Sequence, residues 1–186
     1  MNPLFAAAAE VHEVCQQHRW GFCFIGGLAT IRWGEPRLTR DIDLTILARF
    51  GQEEPVVDVL LDRFRARLDD AREFAIRNRV ALLSASNGVP VDVALGALDF
   101  EERAVQRASA WDTGEVSLLT CSADDLIVHK VFAGRDRDWA DVAGIIIRQG
   151  SSLDRDVILS ELAPLLNAKA STADLSRIQE LLDAQG

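Results

Sequence analysis

Apolar and polar positions change period several times along this chain, and each change predicts an element. Over residues 3–17, Leu4, Ala7, Ala8, Val11, Val14 and Cys15 recur at three- and four-residue spacing, which predicts a helix. Gly21 to Ile25 is a nearly continuous apolar run, the signature of a buried first strand. Gly26-Gly27 ends that run, Leu28 to Trp33 predicts a short helix, and residues 34–40 form a loop. From Asp41 to Leu47 the period drops to two. A strand then sends Asp41, Asp43 and Thr45 to one face and Ile42, Leu44 and Ile46 to the other. Helical spacing returns over 54–69, through Val56, Val59, Leu60, Phe64 and Leu68. Strand-like stretches fill 74–84, broken near 77–79, and Asn87-Gly88 is a hairpin signal. The returning strand, Val89 to Leu95, puts Val91, Val93 and Leu95 on one face and Asp92 on the other.

Beyond this point helices dominate. Residues 97–110 read as a helix, Trp111 to Gly114 as a turn, and Val116 to Leu119 as a short strand. Ser122 followed by Asp125 has the Ser-x-x-acid form of a helix start, and Gly134 ends that helix. Another helix opens over 135–142 and stops at Gly150, and amphipathic helices are predicted over 153–166 and 172–184. The texture thus changes near residue 115. Residues 1–115 read as a mixed α and β core and 116–186 as a mainly helical region packed on it. The expected fold class is α+β.

Charge narrows the partners. Twenty basic residues against 29 acidic ones give a net charge of −9. A broad electrostatic grip on nucleic acid needs a basic surface, so that class is disfavoured, while a cationic small substrate or a protein partner suits the balance. Cys15, Cys23 and Cys121 lack metal-type spacing and lie partly within apolar runs, so buried free thiols in a reducing compartment are expected. His12, His18 and His129 form no ligand spacing, which argues against zinc. Glu10, His12 and Glu13 interrupt the apolar start, which does not read as a signal peptide. No stretch is long and apolar enough to cross a bilayer, and a cytoplasmic location is expected.

The candidate chemistry starts from Asp41 and Asp43. Two carboxylates on one strand face lie roughly 6–7 Å apart and repel unless a cation joins them. That pattern points to a divalent metal; a solvated acidic edge strand would produce it too. Asp92, the only charge in an apolar strand, joins them if its strand lies alongside. Gly26-Gly27, at a strand-to-helix turn, reads either as a plain tight turn or as a place where backbone approaches phosphate. Lys130 either snorkels from an apolar helix face or delivers its charge to phosphate. Arg32, Arg37, Arg40, Arg135 and Arg137 are the candidates for a local basic patch.

These residues, in order, resemble the DNA polymerase β-like nucleotidyltransferases, and within them the AbiEii-type toxins of type IV toxin–antitoxin systems. The likeness is carried by Gly26-Gly27, Thr39-Arg40-Asp41-Ile42-Asp43-Leu44, Asp92 in Val-Asp-Val, and residues 125–130 leading into 134–142, about two thirds of the chain. The wider superfamily often has Gly-Ser where this chain has Gly-Gly, which removes a hydroxyl and leaves phosphate to backbone donors. The resemblance implies a mixed sheet flanked by helices, with a helical C-terminal part. It implies that Asp41, Asp43 and Asp92 bind two Mg²⁺ ions and carry catalysis. Gly26, Gly27, Arg40, Lys130 and Asp138 would serve the nucleotide, with Asp138 or Asp141 supporting the site. The implied reaction moves NMP from an NTP to an acceptor hydroxyl on RNA, a protein or a small molecule such as an aminoglycoside. A cognate antitoxin protein is the implied partner. The contrasting reading is a catalytically silent binding or antitoxin module, which would have no need to maintain three clustered carboxylates.

Overall fold

In the computed structural model, which describes residues 2–184, the chain divides into two compact units. One holds residues up to 28 together with 38–121; the other holds 29–37 and the chain from 122 onward. Residues 1, 185 and 186, the outermost positions of the two regions expected from sequence, lie outside the described residues.

The first unit is built on one mixed sheet. Its strands are β1 (Phe22–Phe24), β2 (Ile42–Leu47), β3 (Arg65–Ala66), β4 (Val80–Ser84), β5 (Pro90–Gly96), β6 (Ser109–Asp112) and β7 (Ser117–Thr120). They lie in the order β3-β4-β5-β2-β1-β7-β6, so β2 is the middle strand. β2 runs parallel to β5, and β1 parallel to β7; the other pairings are antiparallel. One face carries Ile42, Leu44, Ile46, Val91, Val93 and Leu83, all fully buried. The period-2 pattern demands this, since burying those six apolar side chains contributes on the order of 10 kcal/mol.

Helix α1 (Pro3–Gln17) buries Leu4, Ala7, Ala8, Val11, Val14 and Cys15, the stripe expected from their spacing. Asn2 caps it by accepting the Leu4 N–H at 2.9 Å, and Pro3 sits where no backbone donor is needed. All three cysteines are buried free thiols, and burial pushes the Cys15 thiol up to about 12, which leaves it inert. No helix among the described residues is long and apolar enough to cross a membrane.

Three elements depart from the sequence pattern. The helix expected over 54–69 is α3 (Glu53–Arg63), which stops at Phe64. Phe64 turns extended and buries its ring, and Arg65-Ala66 become edge strand β3 against Ser84 and Leu83. Residues 74–78, expected as strand, belong to α4 (Ala71–Asn78), which ends where Arg79 adopts φ +55. The Arg79 side chain donates to the Leu95 carbonyl and pairs with Glu53, which holds that backbone conformation in place. Ser109 and Ala110, expected as helix, and the turn expected at Trp111 form strand β6, whose exposed edge has no buried alternation to betray it. Between β5 and β6, α5 (Asp99–Gln106) completes the unit.

In the second unit α6 (Ala123–Ala133) packs on α7 (Asp136–Gln149) and α8 (Arg155–Ala168), and α8 packs on α9 (Thr172–Asp183). α2 (Gly26–Trp33) begins within the first unit's residues, and from Ala29 it belongs to the second. Its last carbonyls are capped by α7: Gln149 donates to the Trp33 carbonyl at 2.6 Å, and Arg148 to that of Gly34. Ser122 caps α6 by accepting the Asp125 N–H at 3.1 Å, and Gly134 ends it at φ +71. Ser122→Ala and Gly134→Ala are each expected to lower stability by about 1 kcal/mol, read as a fall in the urea midpoint at unchanged slope.

Candidate active site

The parallel pairing of β2 with β5 sets Asp43 directly opposite Asp92. Neighbouring strands lie roughly 4.8 Å apart, so two half-buried carboxylates share one face at one sheet level. Asp41 stands one residue ahead of β2 and is exposed, so strand alternation does not aim it. Thr39 does, by donating its hydroxyl to Asp41 Oδ1 at 2.9 Å.

Gly26-Gly27 is packed against this group. The Ile25 N–H donates to the Asp43 carbonyl at 2.9 Å, which brings the glycine turn alongside. Gly26 has φ +57, and a Cβ there would fall 2.6 Å from the Asp43 Cγ. A Cβ on Gly27 would fall 2.8 Å from the Thr39 Cβ. Both glycines are therefore required sterically, the first also conformationally.

Asp92 has a partner that the sequence pattern missed. Arg67 follows β3, and its backbone N–H donates to the Leu82 carbonyl at 3.0 Å. Leu82 pairs with Asp92, and Asp92 with Asp43, so Arg67 extends a row formed by Leu82, Asp92 and Asp43 across three strands. The Arg67 guanidinium spans that row and ion-pairs with Asp92 Oδ1. Burial pushes the Asp92 carboxyl above its ordinary value; Arg67 pulls it down, and the nearby charge of Asp41 adds to the upward shift. Reading 54–69 as one helix, with Leu68 continuing the apolar repeat, hid Arg67.

As they stand, no three His, Cys, Asp or Glu side chains among the described residues are gathered as a metal cage. The donor set nevertheless fits a hard divalent cation. Asp41, Asp43 and Asp92 supply only oxygen, the two strand carboxylates are register neighbours, and the missing Cβ of Gly26 makes room for the Asp43 carboxylate itself.

Lys130 and Asp138 lie in the second unit. The sequence left the Lys130 head either at water or at phosphate; in the structure it is buried, with Lys130 only 4% exposed. Its Nζ donates to Asp141 Oδ2 at 2.6 Å and stands 3.7 Å from Asp138. Arg37 grips Asp141 with two hydrogen bonds of 2.9 Å, and Arg135 donates to Asp138 at 2.6 Å. The result is an alternating chain: Arg37, Asp141, Lys130, Asp138, Arg135. Of the residues considered for a basic patch, Arg37 and Arg135 are committed to this chain and Arg32 stacks 4.0 Å over Trp33. Arg137 and Arg40 are exposed, Arg40 directly before Asp41.

Burial alone would push the Asp141 carboxyl up, but hydrogen bonds and charge from Arg37 and Lys130 overcome it and hold the group below its ordinary range. Asp141→Asn is expected to cost about 3 kcal/mol at neutral pH, because it leaves a buried ammonium short of its counter-charge. The Asp141 contribution is complete above roughly pH 4 and fades as pH falls toward the depressed native value, where the unfolded chain binds a proton that the folded carboxylate refuses. Urea titrations of both proteins from neutral pH downward should therefore converge in acid.

Comparison with known proteins identifies the fold and the family. No curated protein matches the chain. Among solved structures, an antigenic nucleotidyltransferase-like protein from Paracoccidioides brasiliensis superposes with a TM-score of 0.53 at 14% identity, covering 92% of this chain and 91% of that one. The antibiotic-resistance factor ANT(2'')-Ia superposes with a TM-score of 0.50 at 17% identity, covering 91% and 96%. At such identities the likeness establishes the nucleotidyltransferase fold. The family model described as nucleotidyl transferase AbiEii toxin, type IV TA system, matches residues 13–183. The carboxylates of β2 and β5 and the charge chain of α6 and α7 all fall inside that span, and the protein belongs to the AbiEii family of nucleotidyltransferase toxins.

Proposed function

We propose that this nucleotidyltransferase transfers NMP from an NTP to an acceptor hydroxyl in a Mg²⁺-dependent reaction, with Asp41, Asp43 and Asp92 as catalytic residues. The observation that carries the proposal is the register of Asp43 with Asp92 beneath the glycine turn. Two half-buried carboxylates directly opposite one another are costly unless they serve a cation.

Asp43 and Asp41 would hold two Mg²⁺ ions together with Asp92. When bound, the metal neutralises phosphate oxygens and favours both the attacking and the leaving oxygen of an in-line displacement. The acceptor oxygen bonds to the α-phosphorus, the bond to pyrophosphate breaks, and the acceptor proton goes to Asp92. Gly26 and Gly27 border the triphosphate with backbone N–H groups, and Arg40 offers an exposed guanidinium one residue from Asp41. Lys130 and Asp138 enter as positioning residues of the second unit, since the lysine head is already engaged by two carboxylates.

An RNA 3′ end or a protein hydroxyl fits the biology of a toxin family, with a cognate antitoxin as partner. The net charge of −9 favours a second reading, a cationic small-molecule acceptor. Incubation with each labelled NTP and either total RNA, cell extract or an aminoglycoside separates them by which species takes up label. In the productive mixture, Asp43→Ala is expected to reduce transfer by about 1000-fold or more while the circular dichroism and urea midpoint stay close to wild type. Full activity in that variant would sink the assignment.

A further inference from the structure

We propose that Arg67 is a displaceable counter-charge for Asp92: it holds that carboxylate in the metal-free protein and yields it when a divalent cation binds. The inference rests on the metal-binding reading of the three aspartates and adds a residue to it.

Three observations carry it. First, Asp43 and Asp92 are register neighbours with Asp41 close by, so the metal-free site concentrates negative charge that some cation must offset. At Asp92 Arg67 does so, reaching across the Leu82 strand to Oδ1. Second, Arg67 occupies one of the two oxygens of Asp92, and a metal that takes that oxygen must displace the guanidinium. A guanidinium and a metal ion cannot share that lone pair, so the two compete. Third, Arg67 is placed to leave. It follows the two-residue edge strand β3, and its side chain is 31% exposed, so the guanidinium has a path to water. A partly exposed ion pair of this kind is weakly held compared with a divalent cation among three carboxylates.

The exchange has a functional consequence. A freed guanidinium beside Asp92 sits on the same sheet face as the proposed reaction, ready for an anionic group of the incoming substrate. The protein would thus carry its own neutralising charge until metal and nucleotide arrive.

The test is a double-mutant cycle read by Mn²⁺ binding, followed through the electron paramagnetic resonance of free Mn²⁺, with no turnover required. Arg67→Gln is expected to tighten Mn²⁺ binding by about two- to fivefold in the Asp92 protein, the upper part of the range set by a partly exposed ion pair. In the Asp92→Asn background the same substitution should change Mn²⁺ affinity by less than about twofold, because the pair is already broken. Arg67→Lys should fall between wild type and Arg67→Gln, and it serves if the glutamine variant is poorly folded. An equal gain in both backgrounds would mean that Arg67 acts only through the general field, and it would overturn the proposal, as would no gain or a loss. If wild-type protein binds Mn²⁺ normally while Arg67 has no effect, only the exchange fails. If no variant binds Mn²⁺ at millimolar concentration, the metal reading of the aspartates fails and takes the exchange with it.

Discussion

The constraint on which the first unit turns is the parallel pairing of β2 with β5. It completes the buried face, because Ile42 and Leu44 meet Val91 and Val93 in the same register that sets Asp43 against Asp92. A slip by one residue would carry the apolar set to the wrong face, so burial fixes the register and the register fixes the carboxylates. Like charges directly opposite on a sheet destabilise it. The neighbourhood answers that cost: Arg67 pairs with Asp92, Thr39 donates to Asp41, and Gly26 leaves Asp43 unobstructed.

The second unit solves a different electrostatic problem. Lys130, Asp138 and Asp141 are nearly withdrawn from water, where an isolated charge would be costly. Alternation of sign along Arg37, Asp141, Lys130, Asp138 and Arg135 gives each buried charge an opposite neighbour, and the exposed end at Arg135 reaches solvent. Such a chain does little for net stability relative to an apolar core, but removing one partner leaves a buried charge uncompensated. It ties the residue-37 segment to α7 and holds the lysine in a defined position.

Membership of the AbiEii family and the nucleotidyltransferase fold set the reaction class, while the acceptor depends on surfaces particular to this chain. An acidic protein with local arginines handles an anionic polymer differently from a cationic small molecule. Three arginines considered for a basic patch are occupied within the second unit, by Asp141, Asp138 and the Trp33 ring. Arg40 and Arg137 stay exposed.

By itself the sequence determined the elements with strong period or punctuation: α1, β1, β2, the β4–β5 hairpin, and the helices from Ser122 onward. It also marked Asp41, Asp43, Asp92 and the glycine pair, because charge in an apolar strand and paired glycines are locally improbable. It misjudged β3, α4 and β6, each two to eight residues long and decided by partners far along the chain. Only tertiary structure could place Arg67 on Asp92, since that contact needs β3 and β5 to lie on either side of β4. Only tertiary structure could close Lys130 into its chain of carboxylates, because Arg37 and Asp141 are 104 residues apart. Local pattern reports what a residue prefers; long-range packing decides which charges it meets, and at this site the charges are the chemistry.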